Sequence, residues 1–154
     1  MEMPKPGSEH RQLEQMAGIW TSKEKMHPSQ WDPKGGTANG HIRNRIALGG
    51  FIMTGDYGQE REGKTTFEGH SVFTYDKNER CYLLYWWDSM GMPADVFRGN
   101  FEKSNLVMTS RNAMGHFRLT YEFPGPGKMR SKMEMSEDGE TWKAMFESES
   151  TRTG

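Results

Sequence analysis

The sequence has few cysteines and few aliphatic side chains. It contains a single cysteine in 154 residues, which excludes an internal disulfide bond and fits a reducing compartment, so we expect a cytoplasmic protein. Only 13 residues are Ile, Leu or Val, and the mean hydropathy is -0.91. Such values are typical of disordered chains only when the net charge is high. Here the net charge is -1, so we expect a folded protein.

Long apolar runs and basic runs are also missing. The first ten residues contain no apolar stretch typical of a signal peptide, and no segment has the length and character of a membrane span. Because 20 basic residues balance 21 acidic ones, we expect neither nucleic acid nor membrane as a partner. Proline and charged residues predict a flexible leader over residues 1–7, and the length predicts one domain over residues 8–154.

Methionine and aromatic residues supply the apolar volume instead. The chain has 13 Met, 8 Phe, 5 Trp and 5 Tyr. These side chains fill irregular space and often line binding surfaces. An interior built from them is compatible with a cavity or with a packed core.

The spacing of apolar residues changes from helical to alternating near Gly18. Ser8 is expected to cap a short helix that presents Leu13 and Met16 on one face. Alternation then predicts about ten short strands joined by tight turns. The residues expected to face the interior are Trp20, Glu24, Ile42, Asn44, Ile46, Leu48, Phe51, Met53, Tyr57, Phe67, Ser71, Phe73, Tyr75, Phe117, Leu119, Tyr121, Phe123, Met129, Ser131, Met133, Met135, Trp142, Ala144 and Phe146.

The order of these elements predicts an all-β fold. No second helix is long enough for a crossover, so consecutive strands are expected to pair antiparallel, and closure removes exposed sheet edges. We therefore expect a closed antiparallel up-and-down β-barrel of about ten strands with a short N-terminal helix.

The strand "CYLLYWWD", residues 81–88, is apolar on both faces. Its outer face must then be covered by the N-terminal helix or by a second copy of the chain. A homodimer through this strand is one hypothesis. Either Trp86 or Trp87 can face the interior.

Several segments resemble known families. The "GIW" motif after a short helix, followed by a meander, resembles the calycin (lipocalin-like) group, whose Trp closes one end of the barrel. The segments "HPSQWDPKGG", "GQEREGKTTFEGHSVFTYD", "WWDSMGMP" and "SEDGETW" resemble a bacterial domain-of-unknown-function family, number 1579 in its series, over residues 8–152. The resemblance implies a calycin-like barrel and no established activity.

Asp88, where the strand over residues 81–88 ends, and the loop "MHPSQWDPKGG", residues 26–36, are two further candidate sites. Asp88 either opens a turn or lies at the barrel mouth beside a Trp with a raised pKa. In a calycin the loop covers the open end, where His27 and Trp31 would contact a ligand. Alternatively, the loop is stiffened by Pro and its Trp packs on the rim.

Inward polar residues indicate an interior that is not purely apolar. Glu24, Asn44 and Ser131 would need partners if they are buried, and Arg98 is a candidate partner for Glu24 or Asp88. No two His are close in sequence, so no metal site is predicted. Haem is disfavoured because residues 128–151 contain no His, and any cofactor stays unknown.

The sequence therefore predicts a barrel that binds a small hydrophobic or amphipathic molecule, mostly apolar with one polar end. No catalytic residue is assigned. The residues expected to line or cap the cavity are Trp20, Glu24, His27, Trp31, Asn44, Tyr57, Trp86, Trp87, Asp88 and Arg98. One alternative is an acid–base isomerase or hydrolase that uses Asp88 or His27. A further alternative is a structural or interaction module with a filled barrel.

Overall fold

The computed structural model describes residues 1–30 and 32–154. Within these residues the chain forms helix α1 (Ser8–Arg11), 3-10 helical turns at Gln12–Met16 and Leu48–Gly50, and ten strands. The strands are β1 (Gly18–Met26), β2 (Gly36–Ala47), β3 (Ile52–Arg61), β4 (Lys64–Asp76), β5 (Cys81–Asp88), β6 (Asp95–Glu102), β7 (Asn105–Asn112), β8 (Gly115–Gly125), β9 (Lys128–Ser136) and β10 (Lys143–Arg152). None of the described helices has both the length and the apolar character needed to cross a bilayer.

The strands form one closed antiparallel sheet. Each strand pairs with the strand before it and the strand after it in sequence, and β1 pairs with β10 to complete the circle. Closure leaves no free edge in the described sheet. The predicted up-and-down barrel is confirmed.

The N-terminal segment closes one end of this barrel. Leu13 and Met16 are each 1% exposed and belong to the same core cluster as Trp20. The indole Nε1 of Trp20 donates to the Met16 carbonyl over 3.0 Å, and the Arg152 guanidinium lies 4.6 Å from the centroid of its ring. Trp20 thus lies at one end of the barrel, as the calycin resemblance predicts.

The start of α1 differs from the prediction. Ser8 is the first helical residue and Gly7 is the N-cap, so the expectation that Ser8 caps the helix was wrong. The Gly7 N–H donates to Nδ1 of His10 over 3.2 Å. His10 is buried and packs edge-on against Phe51 and Tyr75, at centroid distances of 5.2 and 5.8 Å. An imidazole therefore supplies the cap acceptor and also packs in the core.

Alternate side chains meet in a core rich in sulfur and rings, as predicted. Trp20, Met53 and Phe73 belong to the central cluster, and Met133 packs against it. Leu48 was expected inside but is 72% exposed, because β2 ends one residue earlier and Leu48 begins a 3-10 turn.

A bulge in β10 changes which residues face the interior. Ala144 pairs with Glu134 and Phe146 pairs with Met133, which leaves Met145 as an extra residue. Ala144 therefore shares the outer face with Glu134, and its expected inward position was wrong. Phe146 faces the interior as expected.

Trp142, just before β10, was also wrongly expected inside. The Arg118 guanidinium lies 4.2 Å from the centroid of the Trp142 ring. The same guanidinium binds both carboxylate oxygens of Glu134, at 3.0 and 3.1 Å. These bonds hold the pKa of Glu134 below its usual range. Trp142 covers an ion pair on the outer face of the barrel.

Strand β5 is apolar on both faces, as its sequence indicates. Tyr82 and Leu84 face the core, whereas Leu83 is only 8% exposed on the opposite face. The Tyr82 hydroxyl donates to the Glu9 carbonyl over 2.6 Å. The N-terminal helix therefore contacts the inner face of β5, at the closed end of the barrel. The homodimer through residues 81–88 stays a prediction.

Candidate functional site

A cavity of about 370 Å³ lies inside the barrel. This volume is near the lower end of the range of about 300–1,000 Å³ that is typical of small-molecule sites. Most of its wall is apolar, from Met16, Ile42, Phe67, Phe73, Leu84, Trp86, Phe97, Phe117, Leu119, Tyr121, Met129, Met133, Met145 and Phe146. The polar part of the wall includes Glu24, Asn44, Tyr57, Gln59, Ser71, Asp88, Asp95, Ser110, Asn112, Ser131, Ser148 and Ser150.

Glu24 places a buried carboxylate in this wall. It is 4% exposed. The Tyr57 hydroxyl and the Gln59 amide donate to Oε1 at 2.6 and 3.2 Å, and the Ser22 hydroxyl donates to Oε2 at 2.9 Å. A β-carbon at Gly40 would lie 2.9 Å from Cδ of Glu24, so only glycine leaves room for the carboxylate. Burial and then the Glu24 carboxylate raise the pKa of Tyr57, which keeps the phenol protonated as a donor.

Asp88 both opens a turn and lies beside a Trp, the two positions between which the sequence did not decide. Its Oδ1 accepts from the Met90 N–H at 3.0 Å, which is a turn contact, and its Oδ2 accepts from Nε1 of Trp86 at 2.8 Å. Asp95 lies opposite Trp86 in the β5–β6 register and also lines the cavity. Burial, and then the nearby Asp88 charge, raise the pKa of Asp95 above its ordinary value. Two carboxylates therefore flank Trp86.

Glycine makes room for the Trp86 indole. A β-carbon at Gly69 would lie 2.9 Å from Cζ3 of Trp86 and nearer still to Cζ2 and Cη2. The Gly69 backbone does not have the positive φ that favours glycine, so the requirement is steric. The Trp86 ring therefore packs directly against the backbone of Gly69 on β4.

Four hydroxyls in the cavity wall, those of Ser71, Ser110, Tyr121 and Ser150, have no hydrogen-bond partner among residues 1–30 and 32–154. Ser71 and Ser150 are 8% and 3% exposed, and Tyr121 lies with them in the wall. Burial raises the pKa of Tyr121, so its phenol stays protonated. No fully buried side-chain polar atom in the described residues lacks a partner, so these hydroxyl oxygens are open to the cavity and can bond water or a guest molecule.

The structure brings six of the predicted site residues into the barrel interior. Glu24, Asn44, Tyr57, Trp86 and Asp88 line the cavity. The Asn44 amide also donates to the Met16 carbonyl at 2.8 Å. Trp20 is the sixth, and it is buried in the core at the closed end.

Two predicted residues point away from the cavity. Arg98 is exposed on the outer face, because its neighbour Phe97 is buried in the core and successive strand residues face opposite sides. Trp87 is 42% exposed and lies beside His70, with 6.3 Å between ring centroids. Placing Arg98 and Trp87 in the cavity was therefore wrong, and Trp86 is the inward tryptophan.

The loop between β1 and β2 is anchored by two side-chain contacts. Nε2 of His27 lies 2.6 Å from a Glu147 carboxylate oxygen, and Arg61 donates to Asp32 at 2.7 Å. His27 is not among the residues that line the cavity. Trp31 lies outside the described residues, so its predicted contact with a ligand stays a prediction.

Sequence reasoning missed Asp95 and Gln59. Both lie two residues from an inward side chain, Asp95 from Phe97 and Gln59 from Tyr57, so the period of two was a usable signal for each. No group of three or more His, Cys, Asp or Glu in the described part of the chain is arranged to hold a metal ion.

Comparisons with known proteins place the chain in a family and support its fold. The model of the family described as "Protein of unknown function (DUF1579)" matches residues 5–152. The crystal structure of Rv2717c from M. tuberculosis has a TM-score of 0.71 at 10% identity, covering 96% of this chain and 99% of that chain. The S-type phycobiliprotein lyase CPES from Guillardia theta has a TM-score of 0.61 at 12% identity, covering 97% and 99%. The curated proteins gave no match.

Proposed function

We propose that this chain, which belongs to the DUF1579 family of proteins of unknown function, binds a small, mostly apolar molecule with one polar group inside its barrel. The observation that carries the proposal is the cavity of about 370 Å³, whose mostly apolar wall also contains hydroxyls that have no hydrogen-bond partner within the described residues. A ligand with apolar surface and one polar group would cover the rings and bond these hydroxyls.

The volume of the cavity favours ligand binding over a filled structural barrel. One water occupies about 30 Å³ in the liquid, so the cavity exceeds the space of a few waters. One of the structural neighbours reported above is named a phycobiliprotein lyase, which supports a barrel that binds another molecule.

Mass spectrometry of natively purified protein tests the proposal. We expect a small molecule to co-purify with the wild type. Ser150→Met fills part of the cavity and should abolish this binding, whereas Thr151→Met changes the next residue, which is exposed on the outer face. If the Ser150→Met variant folds and retains as much ligand as the Thr151→Met variant, the cavity is not the binding site.

A second candidate is an acid–base enzyme, an isomerase or hydrolase, that uses Asp88 and Asp95. Two neighbouring carboxylates, one with a raised pKa, are a common arrangement for proton transfer. His27 is not part of this candidate because it binds Glu147 outside the cavity wall. If the co-purified molecule is converted on incubation, Asp95→Asn should abolish conversion even when the ligand is saturating. Unchanged conversion would eliminate this candidate.

We also propose that the protein is cytoplasmic and comes from a bacterium. The first is supported by the single cysteine, and the second by the segments that resemble the bacterial family. Fractionation of cells that produce the protein at natural levels tests the location.

A further inference from the structure

The charged residues in the cavity wall carry charge of one sign. Among the described residues that line the cavity, Glu24, Asp88 and Asp95 are acidic, and none is Lys, Arg or His. A fourth acidic residue, Asp56, directs its carboxylate to Nδ1 of His70 at 2.8 Å, and its side chain is 76% exposed. The described lining of the cavity therefore contains acidic side chains and no basic one.

The three inner carboxylates differ in what they already bind. Both oxygens of Glu24 and both oxygens of Asp88 accept hydrogen bonds from the protein. Asp95 is partly buried and lies near Asp88, yet within the described chain it has no hydrogen bond and no ion pair. Its oxygens are the carboxylate acceptors that remain for a ligand.

A hydroxyl that is open to the cavity lies in the same row of the sheet. Ser71 pairs with Trp86 in the β4–β5 register, and Trp86 pairs with Asp95 in the β5–β6 register. Ser71 is 8% exposed, lines the cavity, and has no hydrogen bond within the described residues. The row therefore offers a hydroxyl, an aromatic face and a free carboxylate, in that order. Carboxylates and aromatic faces both attract cations.

We propose that the ligand is a small organic amine in its protonated form, whose ammonium group binds Asp95 beside the Trp86 ring while its apolar part fills the cavity. This inference rests on the proposed function and defines the polar group of the ligand as a cation. An ammonium group has three donors and no acceptor, which matches the free carboxylate oxygens of Asp95. An anionic ligand, such as a fatty acid, would meet like charges with no basic residue to offset them.

Three probes that share a phenyl ring and a butyl chain test the charge preference: phenylbutylamine, phenylbutanol and phenylbutanoate. Calorimetric titration of the full chain at pH 7 measures each affinity. We expect the amine to bind at least about tenfold more tightly than the alcohol, and the carboxylate to bind most weakly. Asp95→Asn should lower the amine affinity about tenfold and leave the alcohol affinity unchanged. The matched control Glu102→Gln removes an exposed charge from the same strand and should change neither affinity.

The comparison of probes on the wild-type protein does not depend on any variant folding. If phenylbutanoate binds as tightly as phenylbutylamine, or if Asp95→Asn weakens amine and alcohol equally, the inference is overturned while ligand binding stands. If none of the three probes binds, the proposed function fails together with the inference.

Discussion

The position of Trp86 depends on a missing side chain on the neighbouring strand, so Gly69→Ala should displace the indole. The new β-carbon would lie 2.9 Å or less from three ring carbons, whereas carbon atoms pack at about 3.5–4.0 Å. The ring must therefore move by roughly 1.5 Å, which also breaks its hydrogen bond to Asp88. Overpacking and the lost bond together cost about 2–4 kcal/mol. For a domain of this length, that free energy lowers the melting temperature by roughly 5–15 °C.

The matched control is Gly58→Ala on β3. A β-carbon there meets nothing within 4 Å, so it should be neutral or slightly stabilising. Circular dichroism during heating gives the melting temperatures, and tryptophan fluorescence reports the altered indole environment. Equal melting temperatures for the two variants would refute the conclusion that Gly69 is required to accommodate the ring.

Further predictions concern charge, the closed end and assembly. The pKa of Asp95 is raised above 3.8 in the fold, so its contribution to stability is lost as pH rises through the raised pKa. Asp95→Asn should therefore be more stable than wild type to urea at pH 7, and equally stable well below pH 3.8. The pKa of Glu134 is lowered from 4.5, so Glu134→Gln should lose stability at pH 7, and the difference should shrink as pH falls through the lowered pKa. Arg152→Met removes the cation over Trp20 and should cost about 1–2 kcal/mol in urea unfolding. A dimer through residues 81–88 should appear in sedimentation at micromolar concentration, and a purely monomeric species would contradict it.

The barrel was predictable from sequence because most strands keep a strict period of two. On β2, for instance, Ile42 and Asn44 alternate with charged residues, and the structure places both in the cavity wall. Prediction failed where the backbone departs from that period. The bulge at Met145 has no marker in the local sequence, and it moved Ala144 to the outer face.

The site was only partly predictable because one side chain was assigned by its charge and not by its position in the alternating pattern of the strand. Arg98 was assigned to the interior as a partner for inward carboxylates, although alternation from Phe97 puts it outside. The same alternation puts Asp95 inside. The hydrogen bonds of Glu24 join residues on β1 and β3, and such contacts depend on register, which a single strand's sequence does not contain.

Closure of the sheet by β1 and β10 has a consequence for biosynthesis. The ribosome makes β10 last among the strands of this barrel, so until residues 143–152 emerge, β1 and β9 each keep one side of unpaired backbone groups. Such bare edges are templates for pairing with other chains. A nascent chain stalled just before β10 is consequently the form of this protein that is most prone to aggregate.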